Sequence, residues 1–338
     1  MWQAKLYGAG DLRFEQAPLD TTNLAPGELF VETDVSALST GTDLGNFQGG
    51  STYVPGAPDY PRWVGYSNAG IVRAVGSGVK SVAAGDRVFT TRPHLSAFRA
   101  PESAVWAKIP AEVPSDQASL AYIANLGLQA LHKASFRPGE DVAVVGLGVI
   151  GLCTVAIARA LGAANVYAIV NAPQRVEAAL KAGATEARNS DHVWMADHRD
   201  QLADVVVLTA NTWAAYLDAL NLVRTCGRVA ILGFPGRGEP APDFNPLAPE
   251  WIYRKQLALF GDGLAPTSPA PAHEVRFNLN RSIGLLFDLL RQKRLDFGPI
   301  ISHRFPAHKM IDAYRLAAER DKRLNAAVFD WSPYHGQH

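Results

Sequence analysis

Gly146-Leu147-Gly148-Val149-Ile150-Gly151 follows the run Asp141-Val142-Ala143-Val144-Val145 and opens an apolar segment that reaches Leu161. The G-x-G-x-x-G form is weak evidence alone. Here it stands directly after a buried strand and begins a helix, with a further strand starting about 20 residues on, which is the context a dinucleotide fingerprint requires. Gly146 makes the tight turn, Gly148 lets the backbone approach a pyrophosphate, and Gly151 lets helix pack on strand. Val149 and Ile150 start the helix whose free N–H groups and dipole favour the phosphates. The next strand ends at Asn171-Ala172-Pro173-Gln174-Arg175. A carboxylate that would accept from a ribose 2′-hydroxyl is replaced by Asn171. A 2′-phosphate there meets no repulsion, and Arg175 can pair with it. NADP(H) is therefore expected over NAD(H). Thr209, Gly233 and Phe234, at the ends of two later strands, are further candidate cofactor contacts. A second chemical candidate, Asp191-His192 with Asp197-His198, has ligand residue types but polar neighbours and a place in the outer part of this region. It reads as a solvated loop rather than a metal site.

The elements that position these residues fall into two kinds. Leu29–Val35, Gly70–Val75 and Gly85–Phe89 are short strands bounded by Gly or Pro, so the first third is β-rich. From about residue 125 strands and helices alternate. Strands are expected at 141–145, 165–170, 204–209, 227–233 and 257–261, and helices at 149–161, 175–182 and 214–224. Near-continuous Val/Ile runs mean strands covered on both faces, hence a parallel sheet between helices. The prolines of 265–273 mark a loop, followed by a helix near 283–290, a strand near 300–305 and a helix near 311–319. The tail 334–338 is expected to fray.

The chain has 338 residues, 48% hydrophobic and 19% charged, enough for about two domains and too apolar for disorder. Lys plus Arg equal Asp plus Glu at 32 each, so no net field draws the protein to nucleic acid or an anionic membrane. Cys153 and Cys226 lie in apolar segments and are expected to be buried, reduced thiols. The amino-terminal residues lack a basic start followed by an apolar run and cleavage site, and no stretch is suited to span a bilayer, so a cytoplasmic location is expected.

The chain resembles the medium-chain dehydrogenase/reductase superfamily, which includes the zinc alcohol dehydrogenases. Gly41-Thr42-Asp43 resembles the segment after the first zinc cysteine, and Gly65-Tyr66-Ser67-Asn68-Ala69-Gly70-Ile71-Val72 resembles the Gly-His-Glu segment. Val75-Gly76-Ser77-Gly78-Val79 and Gly85-Asp86-Arg87-Val88 resemble the GroES-like barrel signature, and the dinucleotide fingerprint follows at the family's distance. The Gly-Thr-Asp and Gly-Tyr-Ser variants are most similar to the branch with bacteriochlorophyllide and sugar-alcohol-type dehydrogenases. The resemblance implies an α/β protein: a GroES-like β-barrel catalytic domain over residues 1–124 and 263–338, and a doubly wound Rossmann domain over 125–262. It also implies a small-molecule substrate. The strand 257–261 would be an apolar edge of the Rossmann sheet, and pairing it across a two-fold axis would hide it, so a homodimer is expected.

The departures from the family bear on mechanism. Thr40 stands where zinc members have cysteine, Tyr66 and Ser67 where they have histidine and glutamate, and Tyr122 where the third ligand falls. A tetrahedral zinc site needs thiolate, imidazole or carboxylate at those places, and two cysteines cannot build the four-cysteine structural lobe. No family zinc is expected. A hydrogen-bond donor must then support the developing oxyanion. The resemblance makes Tyr66 the first candidate, facing the nicotinamide, and Thr42 the second, with Thr40 and Tyr122 lining the vacated cavity. Asp43 reads as a structural turn carboxylate, and Gly45 replaces a relay histidine. Tyr53, Trp63, Tyr122 and Trp213 are candidate substrate contacts, though aromatic residues are as often core. His94 and His303 read as structural. Three functions compete: hydride transfer between NADP(H) and a small or medium carbonyl or alcohol, NADPH-dependent reduction of an activated C=C bond, and redox-silent NADP(H) binding by a sensor or structural protein.

Overall fold

The computed structural model describes residues 1–49, 58–170, 172–189, 202–263 and 277–337. The chain forms two compact units. One comprises Met1–Tyr122, Pro269–Lys293 and Ile301–His338, the other Ile123–Ser268 and Arg294–Ile300. The strands of the amino-terminal part are β1 (Trp2–Leu6), β2 (Leu12–Gln16), β3 (Glu28–Ala37), β4 (Arg62–Trp63), β5 (Asn68–Val75), β6 (Arg87–Thr90), β7 (Ala97–Pro101) and β8 (Val105–Lys108). The middle of the chain supplies β9 (Val142–Val145), β10 (Val166–Val170), β11 (Glu186–Asn189), β12 (Ala203–Leu208), β13 (Val223–Ile231) and β14 (Ala258–Gly261). The end supplies β15 (Ile301–Pro306) and β16 (Ala326–Asp330).

In the first unit a seven-stranded sheet runs β15-β16-β3-β5-β6-β8, with β7 also paired to β3, and a smaller sheet runs β2-β1-β4. Strand β3 holds the unit together, antiparallel to β5, β7 and β16. Leu29 and Val31 of β3 pack against Val72, Val88 and Phe98 in one core cluster. A second cluster gathers Leu6, Leu38, Phe47, Val64, Tyr314, Phe329 and Trp331. This GroES-like arrangement accounts for the short alternating strands of the first third. The strand β16 and its parallel pairing with β15 have no distinct signal in the sequence. The expected frayed tail is corrected: His335 Nε2 lies 2.8 Å from the Thr33 carbonyl oxygen and Gly336 N donates to Glu32 Oε1 at 2.6 Å, so the tail is stitched to β3.

In the second unit all pairings among the described strands are parallel, in the order β11-β10-β9-β12-β13-β14. Val142–Val145 and Val205–Leu208 are buried throughout, which explains their unbroken apolar runs. The chain winds outward from β9 in one direction and from β12 in the other. The switch point between them is where doubly wound sheets take ligands. The expectation of two buried thiols is half right. Cys153 is buried in the helix Val149–Ala160, but Cys226 is exposed. Ala203 pairs with Val223 and Val205 with Arg228, so residues 224–227 bulge out of the ladder and carry Cys226, at φ 59°, into solvent. The helix Ala121–Lys133, which precedes β9, is a further element that the sequence pattern did not announce. Among the described residues no helix is long and apolar enough to cross a membrane.

Candidate active site

The switch point of the second unit carries the fingerprint. After β9, Gly146 turns the chain at φ +95°, a conformation that side chains with a Cβ rarely adopt. Gly148 then caps the helix Val149–Ala160 in extended conformation, with no side chain of its own to offer the first-turn N–H groups. Among the described residues a Cβ on Gly148 would meet nothing within 4 Å, so that side of the loop is open to them. A Cβ on Gly151 would lie 2.0 Å from the Gly146 carbonyl oxygen. Thr209, just past β12, donates to that same oxygen at 2.6 Å and ties the two strand ends together. Arg175 Nη1 donates to the Leu147 carbonyl at 2.9 Å, and burial lowers the guanidinium's pKa. The neighbouring loop is carried by Gly233 and Phe234 beyond β13. Phe234 N is bonded to Asn211 Oδ1 at 2.8 Å, and its exposed ring lies 4.1 Å from the Arg237 guanidinium.

Gly146, Gly148, Val149, Ile150, Gly151, Thr209 and Arg175 thus converge on one loop. Gly233 and Phe234 stand at the end of the adjacent strand β13, and Asn171 lies outside the described residues. An open loop, an uncapped helix start and glycines at the points of closest approach fit a dinucleotide pyrophosphate.

In the first unit, β3 runs into the short helix Thr42–Phe47, and β5 is preceded by Gly65 and Tyr66. Tyr66 Oη donates to Ser39 Oγ at 2.5 Å, and its ring meets Tyr122 edge-on at 5.2 Å. Thr42 also hydrogen-bonds the phenol. Burial first, then the neighbouring Asp43 carboxylate, raise the phenol's pKa above its ordinary value. Asp43 is buried, and its carboxylate accepts from two backbone groups, Gly65 N at Oδ1 and Ser39 N at Oδ2, both at 2.9 Å. Burial pushes its pKa up to about 6. His94 is fully buried, with Nδ1 2.8 Å from Ser36 Oγ and Nε2 4.0 Å from Asp43 Oδ2. Burial lowers its pKa to about 3, so the imidazole is neutral.

The structure therefore brings Tyr66, Thr42 and Tyr122 together, with Thr40 half-buried at the turn beside Ser39. Trp63 does not join them: it is 55% exposed on β4, bonded to Gln3 Oε1 and lying against the Lys5 ammonium. Trp213 belongs to the second unit, where it packs edge-on to Tyr216 and Phe244. Tyr53 and the Asp191–His198 pairs lie outside the described residues. His303 stacks on Phe305 and touches Ser302. Ser39 was missed by sequence reasoning, which had only its place beside Thr40 to go on.

Zinc does not fit this donor set. Hydroxyls stand at Thr40, Tyr66 and Tyr122, and both Asp43 oxygens are already engaged by backbone N–H groups. Among the described residues no three His, Cys, Asp or Glu side chains come together in a way that could hold a metal ion.

Comparison with known proteins agrees with this architecture. Residues 25–104 match the alcohol dehydrogenase GroES-like domain, and residues 149–265 match the zinc-binding dehydrogenase domain. The chain belongs to the medium-chain dehydrogenase/reductase superfamily. Sorbitol dehydrogenase of Bacillus subtilis (strain 168) is 27% identical over 77% of this chain and 81% of its own length. L-threonine 3-dehydrogenase of Burkholderia cenocepacia (strain HI2424) is 32% identical over 67% of this chain, and the match spans 61% of that relative. Galactitol-1-phosphate dehydrogenase of Escherichia coli shares the fold, with a TM-score of 0.81 at 21% identity over 98% of this chain and 100% of its own. As a member of this superfamily the chain is an oxidoreductase of alcohol dehydrogenase type.

Proposed function

We propose that this protein is an NADP(H)-dependent oxidoreductase that moves hydride to or from a small or medium organic carbonyl or alcohol without zinc. The observation that carries the reading is the hydroxyl cluster of Tyr66, Ser39 and Thr42, in which Tyr66 takes the place that the family resemblance gives to a metal ligand. Bound nicotinamide supplies or accepts the hydride. Tyr66, whose phenol stays protonated because burial disfavours its anion, turns its one O–H from Ser39 Oγ to the substrate oxygen as charge develops there, and the Ser39 hydroxyl rotates to donate to the phenol oxygen. Thr42 adds a second hydroxyl, and Tyr122 shapes the pocket. The sorbitol and threonine dehydrogenase names of the relatives favour an alcohol–carbonyl pair over C=C reduction.

Arg175 supports NADP(H), since it lies against the glycine loop and offers a guanidinium to a 2′-phosphate. Pairing of β14 edges across a two-fold axis would make the protein a homodimer. The test is a screen of ketones, enones and sugar alcohols with each cofactor. Ketones should be reduced with NADPH, at a KM for NADPH below that for NADH. Arg175→Ala should raise the NADPH KM by roughly tenfold or more and leave NADH nearly unchanged. Turnover confined to enones, or a preference for NADH, would overturn the corresponding part of the proposal.

A further inference from the structure

Asp43 is placed to control both ends of one hydrogen bond. Its Oδ1 holds the N–H of Gly65, the residue before Tyr66, and its Oδ2 holds the N–H of Ser39, whose hydroxyl accepts from Tyr66. Behind the carboxylate stands His94. Gly65 is at φ +88°, and a Cβ there would lie 2.6 Å from the His94 ring, so only glycine presents that N–H with the imidazole in place. Trp331 Nε1 donates to Ser36 Oγ at 2.9 Å. An indole nitrogen can only donate, and among the described residues His94 Nδ1 is the one acceptor in reach of the buried Ser36 hydrogen, which favours the ring proton on Nε2, facing Asp43 Oδ2. Among the described residues His94 Nε2 has no hydrogen-bond partner.

We infer that Asp43 and His94 form one positioning unit for Tyr66, in which the carboxylate clamps the two chain segments that meet in the Tyr66–Ser39 hydrogen bond and the neutral imidazole packs behind Gly65 and the carboxylate and holds them in place. This rests on the role given to Tyr66 above. The titratable groups facing Asp43 are His94, Tyr66 and Tyr314, the last a buried phenol on the helix Met310–Ala318. Facing His94 are Asp43 and, edge-on at 5.0 Å, the apolar ring of Phe329. Among the described residues no lysine or arginine forms an ion pair with Asp43, and its carboxylate accepts from the Gly65 and Ser39 N–H groups, with His94 Nε2 4.0 Å from Oδ2.

Because the clamp uses both oxygens as acceptors, it should loosen when the carboxyl takes a proton. Two measurements on the full chain test this. In 15N-histidine-labelled protein, His94 should be neutral with its proton on Nε2 at neutral pH, and that signal should shift through a midpoint near pH 6 as Asp43 ionises. In turnover, kcat for ketone reduction should fall below that same midpoint. Asp43→Asn, which keeps one acceptor and turns a donor toward the other N–H, should lower kcat by about tenfold with the cofactor KM unchanged and remove the inflection. A charged His94 at neutral pH, a proton on Nδ1, or no inflection near pH 6 overturns the inference. So does an Asp43→Asn protein with wild-type kcat and pH profile. If Asp43→Asn fails to fold, the wild-type nitrogen titration decides. That titration needs no substrate, so failure of the proposed reaction and failure of the clamp give different results.

Discussion

Tyr66→Phe is expected to lower kcat/KM for carbonyl reduction by about a hundredfold or more while leaving cofactor binding intact. Removing one preorganised donor to a developing oxyanion costs about 10²–10³ in rate in comparable sites. The variant keeps the ring, and with it the edge-on contact to Tyr122, so the pocket retains its shape. What is lost is one O–H, which bonds Ser39 Oγ at rest and turns to the substrate oxygen in the reaction. The folding cost should stay near ~1 kcal/mol, the typical worth of a single hydrogen bond. Steady-state kinetics with NADPH and a ketone, beside cofactor fluorescence quenching, separate the effects. Activity within about twofold of wild type would show that the phenol only fills volume, since an oxyanion donor cannot be removed so cheaply.

Gly151→Ala should be as severe for a different reason. Its Cβ would stand 2.0 Å from the Gly146 carbonyl oxygen and 3.2 Å from Thr209 Oγ1, so helix and loop must part. Overpacking of this kind costs about 1–3 kcal/mol, and the displaced loop no longer presents its N–H groups to a pyrophosphate. Cofactor affinity should drop by about a hundredfold, with a lowered Tm. Gly148→Ala provides the contrast. Its Cβ meets nothing within 4 Å among the described residues, so Tm should hold while cofactor binding weakens, because the methyl occupies the side left open to the ligand. Thermal unfolding and fluorescence titration of both variants check this. Equal losses of Tm in the two, or unimpaired binding in either, would contradict the assignment of the loop.

These two sites differ in how far they could be read from sequence. The cofactor loop is local: a buried valine strand, three glycines and a helix within about a dozen residues, with the glycines serving a turn, a close approach and a helix–loop contact. The parallel strands were legible for the same reason, since β9 and most of β12 are unbroken apolar runs. The Tyr66 cluster is not local. Ser39 with Asp43, Gly65 with Tyr66, and His94 come from three separate segments, and only the pairing of β3 with β5 and the packing behind it bring them together. The family resemblance pointed to Tyr66 and Thr42. It left Asp43 and His94 as structural residues and gave no sign that they meet. Trp63 shows what residue type leaves open: an aromatic residue suits a pocket or a core, and the structure places it on the edge strand β4, 55% exposed and bonded to Gln3, apart from the Tyr66 cluster. Cys226 was misread because a bulge in β13 cannot be seen in an apolar run.

The most direct test of hydride transfer supported by protein hydroxyls is metal analysis of freshly purified protein, paired with turnover before and after exhaustive chelation. Metal well below one equivalent per chain, with undiminished ketone reduction by NADPH after chelation, is the predicted result. Stoichiometric zinc whose removal abolishes activity, and whose return restores it, would contradict the account.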